Sequence, residues 1–304
     1  MLGLTASVAQ AAKTKCGAPL PDAPCRIQEF DGGDPIRRAG RSYPLYCKGE
    51  GPALFLLHEQ PGLTGSDVDL AARLVKEGYK VYVPLFFGSA CDRHFYRFLF
   101  TQTLLPFEPF FLSYVTPHHT PAVANWLAAI IPEINKSCGG KGVGIIGNCL
   151  TGGLPLALLK VDDVKAAVLC QPTNPFFFSK SIDVSKKDLD AVCLRLKSDK
   201  MRVLGLKFSG DGKSKSTRFD ALHKLLAGHF SELIIESGEQ HSALCTTSHS
   251  VLAGDFMGPE HSATQEAYRR VVLYLNYRLK GTGPEYPVDP PDCDPKLFRS
   301  CGNF

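Results

Sequence analysis

Val143-Gly-Ile-Ile-Gly147-Asn148-Cys149-Leu150-Thr151-Gly152-Gly153 is the stretch whose reading decides the fold. The apolar, β-branched residues from Val143 to Ile146 suit a short strand covered on both faces. The Gly147-x-Cys149 step then asks for a tight turn, and Gly152 opens a small-residue helix reaching about Leu159. Strand, sharp turn and helix in this order form the setting of a nucleophile elbow. The turn lifts a reactive side chain off the sheet, and small neighbours let the backbone pass close by. Cys149 stands in the nucleophile's place, at a helix N-terminus whose dipole favours a thiolate. The backbone amide of Leu150, the next residue, is the expected oxyanion donor. A buried structural cysteine is the competing reading of this motif alone, so the rest of the chain has to decide.

Outward from the elbow, strands and helices alternate. Ala53–Leu57 is a continuous apolar run suited to a buried strand, followed by a helix capped at Ser66, with Asp69 three residues on, and stopped by Gly78. Lys80–Val83, Ala166–Cys170, Val203–Ser209 and Leu233–Glu236 read as further strands. Helices are expected from Thr120-Pro121 to about Asn135, over Thr217–Leu226 and over Thr264–Leu279. This rhythm predicts a single α/β domain, a mostly parallel sheet with helices on both faces, and a core over about 50–280. The extension 1–49 carries two expected edge strands, Arg26–Phe30 and Ser42–Cys47, and 281–304 reads as an extended surface tail. Residues 85–119 break the rhythm with a long aromatic excursion, which fits either a greasy satellite helix or a substrate cover.

With 44% hydrophobic and 21% charged residues, the chain can build one large core and is not of disordered composition. A net charge of +4 from scattered residues excludes a nucleic-acid interface as the main surface. The densest basic stretch, Lys213 to Arg218, reads as a solvated loop. No apolar run approaches the roughly 18 residues of a membrane span, so a soluble chain without a membrane partner is expected. Met1–Ala12 has only a weak signal-like pattern without a positive start, so the cytoplasm is expected and export is the alternative. Among eleven cysteines, Cys16 with Cys25 and Cys293 with Cys301 lie where staples would serve in an oxidising compartment.

Two more strand ends carry chemistry. Asp211, in Phe208-Ser-Gly-Asp-Gly212, follows the penultimate strand of the alternation, and two histidines, His241 and His249, follow the last. Nucleophile, acid, histidine is the chain order of the α/β-hydrolases. No metal-ligand spacing surrounds His118-His119 or His261, so neither a metal nor another cofactor is expected.

At this point the chain resembles the dienelactone hydrolases, in particular the branch whose elbow reads Gly-x-Cys-x-Thr-Gly-Gly. The resemblance runs from about Ala53 to Leu279. It includes Leu57-His-Glu-Gln-Pro-Gly-Leu63, Leu85-Phe-Phe-Gly88, Cys170-Gln-Pro172, Arg218-Phe219 and His249-Ser-Val-Leu252. It implies an α/β-hydrolase fold and cleavage of a small-molecule ester, lactone or thioester. Cys149 would be the nucleophile, His249 the base and Asp211 the acid that orients it. Glu59 would contact the resting thiol and promote its ionisation. The backbone amides of Gln60 and Leu150 would form the oxyanion hole. His241 is the alternative base; the spacing from His249 to the final helix favours His249. Where the family's lactone enzymes have an arginine four residues after the histidine, this chain has Ala253 (Cys245 if His241 is the base), with Arg93 and Arg97 as other cations. Two rival functions are a catalytically idle fold-mate that binds a small carbonyl ligand, and a thiol redox sensor built on Cys149.

Overall fold

Alternation along the strands sorts the apolar side chains into two cores. Phe55, Leu57 and Ile145 face one side of the sheet, and Leu54, Leu56 and Ile146 the other. The structure is a computed structural model and describes residues 25–60, 62–91, 119–173, 182–236, 248–256, 262–283 and 298–300. Its strands are β1 (Asp31–Arg38), β2 (Arg41–Lys48), β3 (Ala53–Leu57), β4 (Lys80–Pro84), β5 (Val143–Asn148), β6 (Val164–Cys170), β7 (Val203–Phe208), β8 (Phe230–Ile235) and β9 (Phe298–Ser300). They form one sheet in the order β1-β2-β4-β3-β5-β6-β7-β8-β9. The run from β4 to β8 is parallel, flanked by antiparallel β1 and β2 at one edge and β9 at the other.

Helices α1 (Gly65–Lys76) and α6 (Ala263–Leu275) cover one face through Val68, Ala71, Leu74, Ala267 and Val271. Helices α2 (Ala122–Ser137), α3 (Leu154–Leu158), α4 (Lys186–Ser198) and α5 (Ser216–Leu226) cover the other, with Trp126, Leu156, Val192 and Phe219. The largest buried side chains have polar ends, and each finds a partner. Trp126 Nε1 donates to Ile36 O at 2.8 Å, and Tyr274 OH donates to Arg202 O at 2.8 Å while accepting from Ala167 N.

Several local expectations are corrected. The first helix begins at Gly65, because Thr64 forms the capping box. Thr64 Oγ1 accepts from Asp67 N at 3.3 Å, and Asp67 Oδ2 accepts from Thr64 N at 2.9 Å. Residues Ile27–Glu29 form a 3-10 turn where a strand was expected, and the edge strand follows at Asp31. The tail is more than a surface segment: Phe298–Ser300 pairs with β8. Arg218 is not part of a solvated loop. Only 3% exposed, it pairs with buried Asp183 at 2.5 Å. The disulfide of the described residues joins Cys25 to Cys91, so Cys25 is not the partner of Cys16. Among the described residues, no helix is long and apolar enough to cross a membrane. Most of the aromatic excursion, with Arg93 and Arg97, lies outside the described residues.

Candidate active site

In an open parallel sheet, the carboxyl ends of the strands are where side chains from different elements meet. Here β3 delivers Glu59, β5 Cys149, β6 Gln171 and Thr173, β7 Asp211, and the segment after β8 His249. Cys149 has φ 52°, a left-handed conformation that few side chains adopt. Only a glycine two residues earlier lets this turn form: a Cβ on Gly147 would collide with Thr151 O and lie 2.8 Å from Pro155 Cδ. Behind the turn come a 3-10 turn, Cys149–Thr151, and the five-residue α3, shorter than the helix expected over Gly152–Leu159.

Thr151 locks the elbow to the end of β3. Its hydroxyl lies 3.0 Å from Leu57 O, 3.1 Å from His58 O and 2.9 Å from Asn148 O, and accepts from Asn148 N at 3.1 Å. Asn148 Nδ2 also donates to Leu57 O. His58, fully buried, has a defined tautomer: Nε2 accepts from Phe86 N at 3.1 Å, so Nδ1 carries the proton and donates to Glu59 O at 3.0 Å. Burial disfavours its charged form and pushes its pKa down to about 4, so it stays neutral and structural.

Cys149 Sγ shares a 3.3 Å hydrogen bond with Thr173 Oγ1. Sγ, a carboxylate oxygen of Glu59 and a ring nitrogen of His249 lie within 4.8 Å of one another, and all three residues are buried. His249 Nδ1 bonds Asp211 Oδ2 at 2.7 Å. The other ring nitrogen, Nε2, is buried, faces the Cys149 sulfur and hydrogen-bonds to nothing else among the described residues. Burial opposes a charged imidazolium, but Asp211 and Cys149 outweigh it and lift the His249 pKa to about 10. Burial would likewise raise Asp211. Its bond to His249, with the amides of Ser214 and Lys213 on Oδ1, holds it below the usual carboxylate range instead. Glu59 is raised, chiefly by burial, against the pull of His249 and a 2.6 Å hydrogen bond from Ser250 Oγ.

The structure thus brings Cys149, Asp211, His249 and Glu59 into one cluster, with Leu150 and Gln60 next along the chain from Cys149 and Glu59. His241 lies outside the described residues. Ala253 is buried in the turn after His249. Four supporting residues were not singled out from sequence as parts of the site. Asp255 Oδ2 accepts from the amides of His249 and Ser250, both at 2.7 Å, and Ser250 links this loop to Glu59. Thr173 touches the thiol, and Gln171, at φ 33°, accepts from Val251 N through Oε1. The Cys170-Gln-Pro172 motif was a signal for Gln171 and the His249-Ser-Val-Leu252 motif for Ser250; no such motif contains Thr173 or Asp255.

No protein-family profile matches the sequence, and a search of curated proteins finds no match. Solved structures do match. A candidate dienelactone hydrolase from Klebsiella pneumoniae aligns at a TM-score of 0.53 and 18% identity, covering 81% of this chain and 98% of that one. A dienelactone hydrolase from Anabaena variabilis aligns at 0.51 and 12%, covering 82% and 99%. A cold-adapted esterase from an Arctic intertidal metagenomic library aligns at 0.52 and 18%, covering 81% and 92%. At such identities the likeness speaks for architecture, and it agrees with the strand order described above: the chain has an α/β-hydrolase fold.

Proposed function

We propose that this protein is a dienelactone-hydrolase-like enzyme that cleaves a small-molecule ester, lactone or thioester through Cys149. The observation that carries the reading is a cysteine on a left-handed turn at a strand end, facing a histidine whose far nitrogen is bonded to a buried aspartate. The dienelactone hydrolases and the esterase among the structural neighbours support the same chemistry.

In the proposed reaction the clustered groups act in turn, with the oxyanion donors taken from the family resemblance. The Sγ proton rests on His249 Nε2 whenever Cys149 is a thiolate, the ion pair that the raised His249 pKa describes, with Glu59 beside the sulfur promoting the ionisation. The thiolate attacks the carbonyl carbon, and the oxyanion is received by the backbone N–H groups of Leu150 and Gln60. Collapse of the tetrahedral intermediate expels the alkoxide or thiolate leaving group, which takes the proton back from Nε2. Water then gives a proton to Nε2 and attacks the acyl-cysteine. The second collapse frees the acid and restores Cys149. Asp211 keeps the imidazole in the tautomer that exposes a basic Nε2 and stabilises the imidazolium. None of these steps requires a cofactor. The Cys25–Cys91 disulfide favours an oxidising compartment, and so the exported alternative for localisation.

The test is mass spectrometry of protein mixed with a small activated ester, beside a panel of esters, lactones and thioesters. An acyl adduct on Cys149, with hydrolysis abolished in a folded Cys149→Ala variant, is expected. Hydrolysis by Cys149→Ala at the wild-type rate refutes the assignment. Ligand binding without turnover would indicate the idle fold-mate, and sulfenic acid on Cys149 without acylation the redox sensor.

A further inference from the structure

We propose that the Cys149–His249–Glu59 cluster is also a binding site for a soft divalent cation of the zinc type, which occupies the hydrolytic centre and shuts it. The idea deepens the functional reading by naming a ligand of the same residues. It rests on that reading only for its consequence, not for the binding.

Three ligand types converge there: a sulfur, an imidazole nitrogen and a carboxylate oxygen, all buried and within 4.8 Å of one another. Around a tetrahedral zinc ion such atoms sit about 3.4–3.6 Å apart, from bond lengths of about 2.0–2.3 Å. Small side-chain adjustments therefore close the site. His249 Nε2 is the nitrogen that has no hydrogen-bond partner other than the thiol it faces.

The outer partners that a metal site needs are already in place. A ligating histidine normally donates its other N–H to a carboxylate, and Asp211 takes that role at 2.7 Å. Ser250 Oγ, at 2.6 Å, fixes Glu59 Oε1. Charge also balances. The cation displaces the one proton that Cys149 Sγ and His249 Nε2 share, which leaves to solvent, and the +2 ion then faces one thiolate, one neutral imidazole and one carboxylate. A buried dication that is neutralised by its own ligands avoids the cost of an uncompensated charge. Three protein ligands leave a fourth position for water, and the nucleophile's lone pair is tied up in the metal bond.

The experiment uses the full chain freed of metal with a chelator. Cobalt(II) reports coordination by sulfur through a thiolate-to-metal charge-transfer absorption, and zinc chloride binding is followed by calorimetry. We expect one ion per chain and the charge-transfer band. We further expect loss of the band in Cys149→Ala, at least about tenfold weaker binding in Glu59→Gln, and about 10–100-fold weaker binding in Asp211→Asn. Circular dichroism shows that each variant is folded; Glu59→Gln, nearly isosteric, carries the test should Cys149→Ala fail to fold. Zinc binding that is unchanged in both Cys149→Ala and Glu59→Gln, or cobalt binding without the charge-transfer band, overturns the proposal. Hydrolysis is read separately. A chain that binds zinc in this way but never forms an acyl adduct refutes the hydrolase reading and leaves the metal site standing. A chain that hydrolyses esters but binds no zinc refutes the metal site alone.

Discussion

Replacing Asp211 by asparagine separates a working histidine from an ornamental one, and the structure sets the size of the effect. The Asp211–His249 bond is 2.7 Å long, with 2% of the Asp211 side chain and 10% of the His249 side chain exposed. A hydrogen bond to a charged group is worth about 1.5–3 kcal/mol. At 1.36 kcal/mol per pH unit, losing it should lower the imidazolium pKa by roughly 1–2 units from its value of about 10. The sign is fixed: an anion beside a cation favours the charged form, so its removal lets His249 lose its proton at lower pH. In the proposed reaction His249 must carry that proton to release the leaving group, so the alkaline limb of kcat/KM should fall near pH 10 in the wild type. In Asp211→Asn it should lie roughly 1–2 units lower. The rate itself should drop by up to about ten-thousand-fold, because an amide at this position permits the wrong tautomer. Stability follows the same linkage. A raised histidine pKa stabilises the fold fully below about 6.5 and loses that contribution as pH rises through about 10, so the two proteins should converge in stability at high pH. A chromogenic ester assayed from pH 5 to 10.5, with circular dichroism at each pH, decides the matter. An Asp211→Asn profile that superimposes on the wild-type profile would show that His249 does not serve as the acid and base.

Two further outcomes are expected. With Ala253 standing where the lactone enzymes that the sequence resembles hold an arginine, a substrate carboxylate in the proposed site would be desolvated without a partner, at a cost of roughly several kcal/mol; matched substrates should show higher kcat/KM for the neutral one, and a clear preference for the carboxylate refutes this. Asp67, fully buried beside Glu59 and pushed up to about 7 mainly by burial, should make the fold less stable as pH rises from about 4 to 7. Over that range Asp67→Asn should gain on the wild type by up to ~1.4 kcal/mol per pH unit in denaturant titrations, and a pH-independent difference rules the effect out.

The parallel core was legible because its signals are local. Ala53–Leu57 and Val143–Ile146 are continuous apolar runs, and a strand covered on both faces needs nothing else. Helix α4 was missed because it buries little, with Val192 and Leu196 its fully buried side chains, and so its apolar stripe is narrow. The edge strand β1 was displaced in sequence because Gly32, Gly33 and Pro35 depress strand propensity. An edge tolerates them, since one side of its ladder is unpaired. The misplaced cap had a different cause. Thr64-x-x-Asp67 and Ser66-x-x-Asp69 fit the same template, and tertiary packing, which buries Asp67 and leaves Asp69 exposed, chooses between them. The Asp183–Arg218 pair acts across space, and no short window of sequence contains it; Asp255 takes amides only five and six residues before it, but no turn or cap template marks that contact.

Two strained residues show how the site is held together. Cys149 at φ 52° and Gln171 at φ 33° sit at the ends of adjacent strands, and each such conformation costs about 1 kcal/mol or more. Strain of this kind persists only where the surroundings leave no alternative. The Cys149 carbonyl accepts from both Gly152 N and Thr173 N at 3.0 Å, so the turn is pinned from inside and from the neighbouring strand. Gln171 N donates to Leu206 O at 2.6 Å, while its side chain holds Val251 N, two residues past His249. Thr151, through Leu57 and His58, fastens the elbow to the segment that carries Glu59. Each constraint on the thiol is therefore also a constraint on its carboxylate or its imidazole. The strained turn does more than expose Cys149, because it fixes the distances among three groups delivered by three different strands.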